Sequence, residues 1–237
     1  MIPDEFYPVE TATILPFNRT GTGGNPIGHF SANYSKAINK GFAAIKAEAL
    51  ETLAALSGNL MQGDAEKHLF YRAVAIYCDA VMTLSKRYAA ECRRMSLLDK
   101  YTPERRAELA GMADSLDHII EYPARSFREA VQATLIYHLT LCFDGQMHGL
   151  TLGRFDQYAY PFLKKELEEG TITQDQAQEI IDCFFLKISE AVVAKTTAAA
   201  VNSGGYSSGQ HMSLGGVDRE GNDATNDVSY LMLQAMG

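Results

Sequence analysis

The sequence lacks the features that mark several common classes of protein. None of its four cysteines, Cys78, Cys92, Cys142 and Cys183, belongs to a CxxC pair or has a histidine at ligand spacing. This pattern argues against a zinc site and a disulfide framework, so each thiol is predicted to be a small buried apolar side chain. No apolar run approaches the roughly 18 residues of a membrane span, and the N-terminal MIPDEFYPVE does not resemble a signal peptide. The predicted location is cytoplasmic.

The chain also lacks a concentration of basic residues. Its 21 Lys and Arg are scattered and are outnumbered by 29 Asp and Glu, which gives a formal net charge of −8. Nucleic acid and anionic membranes are therefore not expected as partners, and a small neutral or zwitterionic substrate fits the charge better. With 46% hydrophobic residues over 237 positions, the chain is long enough to bury a core.

Helical periodicity dominates what is present. Apolar residues recur every three or four positions from Tyr34 to Leu56, and again in a longer stripe. That stripe comprises Phe70, Val74, Tyr77, Val81, Leu84, Tyr88, Cys92 and Met95. Capping signals predict further helix starts, and they stand at Asn33, Thr102-Pro103, Ser126 with Glu129, Thr173 with Gln176, and Asp223. A short strand is expected within 210–214.

Three Gly-punctuated stretches offer places for a site. They are the loop ending in GTGGNPIGHF, the stretch Cys142–Pro161 and the Gly- and Ser-rich segment before the last helix. Each contains one histidine, namely His29, His148 or His211. They lack HxH or HxxxH spacing, so acid–base chemistry or substrate hydrogen bonding is favoured over a metal site. A phosphate loop and a GxSxG hydrolase are disfavoured because neither motif is present in its structural context.

Four blocks resemble one known family. They are GHFSANYSKAINKGFAAIKAEA at 28–49, YPARSFREAVQATLIYHL at 122–139, HGLTLGRFDQYAYPF at 148–162 and MSLGGVDREGNDATNDVSYLMLQA at 212–235. In this order they resemble the glycyl radical enzymes, in particular the pyruvate formate-lyase-like branch that includes glycerol, propanediol and hydroxyproline dehydratases and choline lyase. The pair LGRFDQY and LGGVD…G.DATN.VSYL is the most specific part of the match.

The resemblance implies an α/β fold that is predominantly helical in this segment: the helical shell and first strands of a ten-stranded barrel. In the family a glycyl radical passes its unpaired electron to a cysteine, whose thiyl radical takes a hydrogen atom from substrate in a dry interior. Residues 1–237 are expected to be part of one such domain, truncated at the C-terminus before the catalytic cysteine loop and the glycyl radical loop. No catalytic or metal-binding residue is assigned, and the isolated chain is expected to be inactive.

Site residues follow from the resemblance position by position. The predicted substrate-pocket residues are His29, Asn33, His148, Gly149, Tyr206, Gln210 and His211. The family's dehydratases often have a serine where Gly149 stands, and a Pro-Asp pair where Ala32 and Asn33 stand. The resemblance therefore supports neither a diol specificity nor a carboxylate base at position 33. Arg154 and Asp156 are expected to pair with each other or hold the turn.

Three functions remain open. The first is part of a radical lyase or dehydratase that cleaves a C–O, C–N or C–C bond, and the second is part of a formate C-acetyltransferase. The third is a non-catalytic helical scaffold or truncated gene product. The resemblance implies no directly bound cofactor, a separate activating enzyme that uses S-adenosylmethionine and an iron–sulfur cluster, and a homodimer in the full-length form.

Overall fold

The structure, a computed structural model, describes residues 30–56, 63–145, 149–190 and 211–237. These residues are mostly helical. The helices are α1 (Tyr34–Ala55), α2 (Asp64–Ser96), α3 (Pro103–His118), α4 (Phe127–Gly145), α5 (Phe155–Glu169), α6 (Gln174–Ser189) and α7 (Asp227–Ala235). Two short strands, β1 (Thr151–Gly153) and β2 (His211–Met212), pair in parallel. No helix in the described ranges has the length and apolar character needed to cross a membrane.

The helix starts agree with most of the predicted caps. Asn33 Oδ1 accepts from Lys36 N at 2.9 Å, and Thr102 caps α3 with proline in its first turn. At α6, Thr173 and Gln176 exchange side-chain to backbone bonds of 2.9 and 3.2 Å, which completes the predicted capping box. Ser126 Oγ accepts from Glu129 N at 3.2 Å, but Glu129 reaches back to Arg125 N at 2.8 Å instead of closing the box on Ser126.

The predicted cap of the last helix is wrong. Asn226, not Asp223, caps α7: its side chain accepts from Val228 N and Ser229 N, and the Ser229 hydroxyl accepts from Asn226 N. Asp223 instead holds Thr225 through bonds of 2.9 and 2.7 Å. Both residues are good caps by type, so the choice depends on which residue leaves the turn in an extended conformation, and Asn226 does so.

The apolar stripe predicted for α2 is displaced by about one position. The buried residues of this helix are Ala75, Cys78, Val81, Ser85 and Ala89. By contrast, Phe70 and Tyr88 are exposed. Helix α2 packs against both α1 and α3, and these contacts select small side chains such as Ala75 and Ala89. The buried Ser85 hydroxyl donates to Leu116 O of α3 at 2.7 Å.

Helix α1 bends at Gly41, where a distant turn enters its hydrogen-bond ladder. Phe42 N donates to Ile120 O and Ala43 N to Glu121 O, while Ile38 O accepts from Ala124 N. Gly41 has φ +75° and ψ 158°, a conformation that only glycine adopts readily. A Cβ at this position would lie 2.3 Å from Glu121 O. The kink therefore requires both the flexibility and the small size of glycine.

Contacts divide the chain into two compact units. Of the described residues, one unit comprises 30–32, 138–145, 149–158, 178–190 and 211–237, and the other comprises 33–56, 63–137 and 159–177. The second unit holds α1, α2 and α3. The first holds both strands and α7. Cys78 and Cys142 are buried as predicted, but Cys92 is half-buried and Cys183 is exposed on α6, so the prediction fails for these two.

Candidate functional site

Parallel pairing brings three separate chain segments together in the unit that contains the strands. Thr151 pairs with Ser31 on one side and with His211 on the other. Backbone bonds join the segments: Thr151 N donates to Phe30 O at 3.1 Å, and Ser213 N donates to Gly153 O at 2.9 Å. The residues that directly follow His148 therefore run beside the strand that contains His211, and those that directly follow His29 run along the other side of β1.

The two faces of this small sheet differ in character. Side chains of directly paired residues lie on the same face, so Ser31, Thr151 and His211 form one line across it, which we call the polar row. Ser31 and His211 are exposed and Thr151 is half-buried. Leu150 and Leu152 alternate with Thr151 and are fully buried. One face therefore belongs to the core, and the other presents two hydroxyls and an imidazole.

Hydrogen bonds fix the middle of the polar row. The Thr151 hydroxyl donates to His211 O at 2.7 Å and accepts from Gly153 N at 3.0 Å, so it holds β1 and β2 in register. Gly153 has φ +62°, and a Cβ there would lie 2.8 Å from Ser31 Oγ. Glycine at 153 thus leaves room for the Ser31 hydroxyl. Sequence reasoning missed Ser31 and Thr151, because they join His211 in one row only through pairing between distant segments, Ser31 with Thr151 and Thr151 with His211.

The structure describes three of the seven predicted pocket residues. His211 begins β2 in the polar row, and Gly149 lies just before β1 with φ +63°, in the left-handed region that favours glycine. Asn33 is the exposed N-cap of α1, and its side-chain oxygen already accepts a backbone bond. His29, His148, Tyr206 and Gln210 lie outside the described residues.

Beside the polar row, the LGRFDQY motif holds the loop that leads into α7. Arg154 donates to two carbonyl oxygens, Gly215 O at 2.6 Å and Val217 O at 3.0 Å. Gln157 Nε2 donates to Ala224 O at 2.8 Å. Arg154 and Asp156 thus hold the turn, as one of the two predicted alternatives stated, and do not pair with each other. The two most specific sequence blocks are bound directly to one another.

Asp156 forms the buried part of this interlock. Its Oδ2 accepts from Gly215 N and from the Ser229 hydroxyl, both at 2.6 Å, and its backbone oxygen accepts from Asn226 Nδ2 at 3.3 Å. The side chain is fully buried. Within the described ranges, Oδ1 has no hydrogen-bond partner. The carboxylate thus fixes the start of α7 relative to β1.

The cysteines that are buried or half-buried, Cys78, Cys92 and Cys142, have thiols whose pKa burial raises. Burial raises the pKa of the Cys142 thiol to about 12, and Cys142 packs with Leu150, Phe30 and Leu141. Burial also raises the pKa of Cys78. Both thiols stay protonated at neutral pH, in agreement with a packing role.

Helices together with a short parallel sheet define the described part of the chain as an α/β fold that is mostly helical. A profile of the pyruvate formate lyase-like family matches residues 17–237, and the chain belongs to this family. It is 37% identical over 207 residues to an isethionate sulfite-lyase of Desulfovibrio desulfuricans, covering 86% of this chain and 24% of that protein. It is 32% identical to a (2S)-3-sulfopropanediol dehydratase of Klebsiella oxytoca, covering 87% of this chain and 25% of that protein.

Solved structures give the same result. The B12-independent glycerol dehydratase of Clostridium butyricum superposes with a TM-score of 0.81 at 33% identity, covering 89% of this chain and 26% of that one. These relatives are glycyl radical enzymes, and the structures are glycyl radical enzyme barrels, so the resemblance and fold class inferred from the sequence are confirmed. The chain spans about a quarter of the length of the curated relatives it matches.

Proposed function

We propose that this chain is a segment of a glycyl radical lyase or dehydratase and forms part of the wall of its substrate chamber. The observation that carries the proposal is the polar row. It presents the exposed Ser31 and His211 on the sheet face opposite Leu150 and Leu152, in a chain whose relatives are glycyl radical barrels. A polar face inside such a barrel suits a small substrate with hydrogen-bonding groups.

The proposed class of substrate rests on the names of the relatives and on the side chains of the polar row. Isethionate, sulfopropanediol and glycerol are small molecules that carry a hydroxyl group near the bond that is broken. An imidazole and a hydroxyl can bind such a group, because each can donate or accept a hydrogen bond. We therefore propose a small hydroxylated substrate, whose C–O, C–N, C–C or C–S bond breaks after hydrogen abstraction.

The same proposal assigns the pocket and its partners. His29, His148, Gly149, Tyr206, Gln210 and His211 contact or shape the substrate, and Asn33 is included on the resemblance alone. The thiyl and glycyl radicals belong to residues outside this chain, in the same domain of the whole protein. A separate activating enzyme with S-adenosylmethionine and an iron–sulfur cluster installs the glycyl radical, and the whole enzyme is a homodimer.

A chimaera tests the proposal. This chain replaces the matching segment of the D. desulfuricans isethionate sulfite-lyase, and the chimaera is activated without oxygen. Its glycyl radical is counted by electron paramagnetic resonance. Turnover is then measured with isethionate, sulfopropanediol, glycerol and pyruvate. We expect product from at least one hydroxylated substrate. A radical-bearing chimaera that converts none of them would contradict the proposal, and turnover of pyruvate alone would favour the formate acetyltransferase.

A matched pair of variants tests the role of His211. His211→Ala in the chimaera is expected to lower kcat/KM at least about tenfold, because one substrate hydrogen bond is lost. Arg219→Ala, at an exposed position of the following loop, is expected to leave it unchanged. Equal effects of the two substitutions would contradict a pocket role for His211.

A further inference from the structure

Helix α2 carries a row of apolar residues on its outer side, opposite the side that packs against α1 and α3. The row consists of Leu69, Ala73, Ile76 and Ala80, and we call it the α2 stripe. Steps of four, three and four residues keep these positions on one side of a helix. All four are exposed, Leu69 to 64% and Ile76 to 66%. A continuous apolar row of this kind is a contact surface rather than scattered exposure.

The side chains of the α2 stripe alternate in size. Leu69 and Ile76 are large, whereas Ala73 and Ala80 are small. If two copies of α2 pair in antiparallel orientation with Ala73 opposite Ile76, then Leu69 lies opposite Ala80. Every layer of that pair contains one large and one small side chain, so it packs densely. In a parallel pair each residue would face its own copy, and the alanine layers would leave gaps.

Charges on one flank of the stripe fit the same register. Arg72 and Asp79 each directly precede an alanine of the stripe, so both lie along this flank, and both are exposed. The antiparallel pair brings Arg72 of each copy across from Asp79 of the other. The Asp79 carboxylate bonds Lys46 at 2.7 Å, and its oxygens can accept from a second cation as well. Such exposed pairs add little affinity but help to fix the register.

The other flank of the stripe borders an apolar cavity. Phe70 and Tyr77 each directly follow a large residue of the stripe, and both line this cavity of about 420 Å³ between α1, α2 and α4. The lining also includes Phe42, Ile45, Val74 and Tyr137. Phe70 is 62% exposed. The antiparallel register places Phe70 of one copy against Tyr77 of the other, where its ring covers the cavity.

We propose that the α2 stripe is an interface between two copies of this chain, paired antiparallel about a two-fold axis with Ala73 opposite Ile76. This inference rests on the homodimer of the proposed function and names the face that forms it. Self-complementary side-chain sizes, the Arg72 and Asp79 pairs and the cavity beside Tyr77 all favour a second copy as the occupant. Other polypeptide of the whole enzyme is the competing occupant, and the experiments below distinguish the two.

Disulfide formation tests the register. Leu69→Cys and Ala80→Cys are introduced together into the chain and into the chimaera, with Cys183→Ser to remove the exposed native thiol. Positions 69 and 80 are about 16 Å apart on one helix, so a bond between them can only join two copies. Non-reducing gels and peptide mass spectrometry identify the bond.

We expect a linked dimer from the double variant and none from either single variant, because neither position lies opposite itself in the proposed register. A linked dimer from Leu69→Cys alone would indicate a parallel pair and overturn the proposal. Absence of the 69–80 bond from the double variant would also overturn it.

Analytical ultracentrifugation gives a second readout. Ile76→Asp is expected to raise the dissociation constant of the dimer at least about tenfold, because it buries a charge in an apolar layer. Leu97→Asp is the matched control at the end of α2, where Leu97 is 78% exposed, and should leave the constant unchanged. Equal effects of the two substitutions would overturn the proposed interface.

The interface and the proposed function can fail separately. A dimeric chimaera that turns over substrate but is unaffected by Ile76→Asp would contradict only the interface. A chimaera that carries the radical and forms the 69–80 bond but converts no substrate would contradict only the proposed function. In a monomeric chimaera, slow maleimide labelling of a thiol introduced at position 69 would show that the rest of the enzyme covers the stripe, which would also overturn the interface.

Discussion

Asp156 is fully buried, and a single oxygen of its carboxylate accepts both of its side-chain hydrogen bonds, from Gly215 N and the Ser229 hydroxyl. An amide oxygen has two lone pairs and can accept the same two bonds. The negative charge is therefore not needed for the interlock between β1 and α7. What the position requires is a hydrogen-bond acceptor on a side chain as long as that of Asp156.

This leads to the first prediction. Asp156→Asn should change the free energy of unfolding by no more than about 1 kcal/mol, whereas Asp156→Ala should lower it by about 3 kcal/mol, since the buried Gly215 N–H then loses its partner. Chemical denaturation of both variants checks this. If the Asn variant is as unstable as the Ala variant, the charge itself is required.

Gly41 gives the second prediction. Gly41→Ala should lower the free energy of unfolding by at least about 3 kcal/mol, because alanine is strained at this backbone conformation and its Cβ meets the Glu121 carbonyl. Gly111, within α3, has open space around it, so Gly111→Ala should instead stabilise by about 0.5–1 kcal/mol. Thermal unfolding of both variants compares glycine at the kink with glycine inside a regular helix. If Gly41→Ala leaves the free energy of unfolding unchanged, the kink does not require glycine.

At the scale of single elements, Asn33 has a structural role as well as a proposed functional one. Its side-chain oxygen caps α1, so Asn33→Ala should cost about 1 kcal/mol of stability. Asn33→Asp keeps the acceptor and adds a negative charge at a helix N-terminus, so it should be at least as stable as the parent. Urea denaturation measures both. A loss in Asn33→Asp equal to that in Asn33→Ala would show that the cap contributes little.

The start of α4 makes stability depend on pH. Burial raises the pKa of Glu129, but hydrogen bonds and charge attraction from Arg125 outweigh it and hold this pKa below its ordinary value. A carboxylate with a lowered pKa in the folded state stabilises the protein above its unfolded pKa of about 4.3. That contribution is lost as pH falls from there through the lowered folded value.

The matching experiment is thermal unfolding between about pH 6 and pH 3, a range that spans the ordinary carboxyl pKa. Glu129→Gln should unfold at a temperature that depends less on pH in the acid part of this range. Glu168→Gln is the control, because Glu168 is exposed and lies 3.9 Å from Lys164. Parallel curves for Glu129→Gln and the parent would rule out this source of acid sensitivity.

The helix starts show what local sequence predicts well. The Asn33, Thr102 and Thr173 caps were predictable because each bond joins residues three positions apart. The phase of the α2 stripe was not, because packing against α1 and α3 decided which side faces inward. The Gly41 kink was not predictable for the same reason: its cause is a turn about 80 residues later in the chain.

At the scale of the whole molecule, the family was predictable because LGRFDQY and the block at 212–235 are specific in sequence. Their contact was not, since bonds such as Arg154 to Gly215 link positions that are 61 residues apart. The candidate site was predictable in part. His211 was named from the sequence, whereas Ser31 and Thr151 became visible only through strand pairing.

The isolated chain supplies the last prediction. It spans about a quarter of the length of its curated relatives. Of its cysteines, Cys78 and Cys142 are buried, Cys92 is half-buried and Cys183 is exposed. We therefore expect no turnover when this chain alone is treated with a relative's activating enzyme. Product analysis with the same substrate panel measures it. Turnover without a complementing polypeptide would contradict the expectation.

The kink in α1 also has a kinetic consequence. The amides of Phe42 and Ala43 are bonded to carbonyls of residues 120 and 121, not to their own helix. Their hydrogen exchange must therefore wait for the 119–124 turn to separate from α1, whereas amides near Ala55 exchange by fraying of the helix end. In folding, the two halves of α1 can form early, but these two amides become protected only when the turn after α3 arrives.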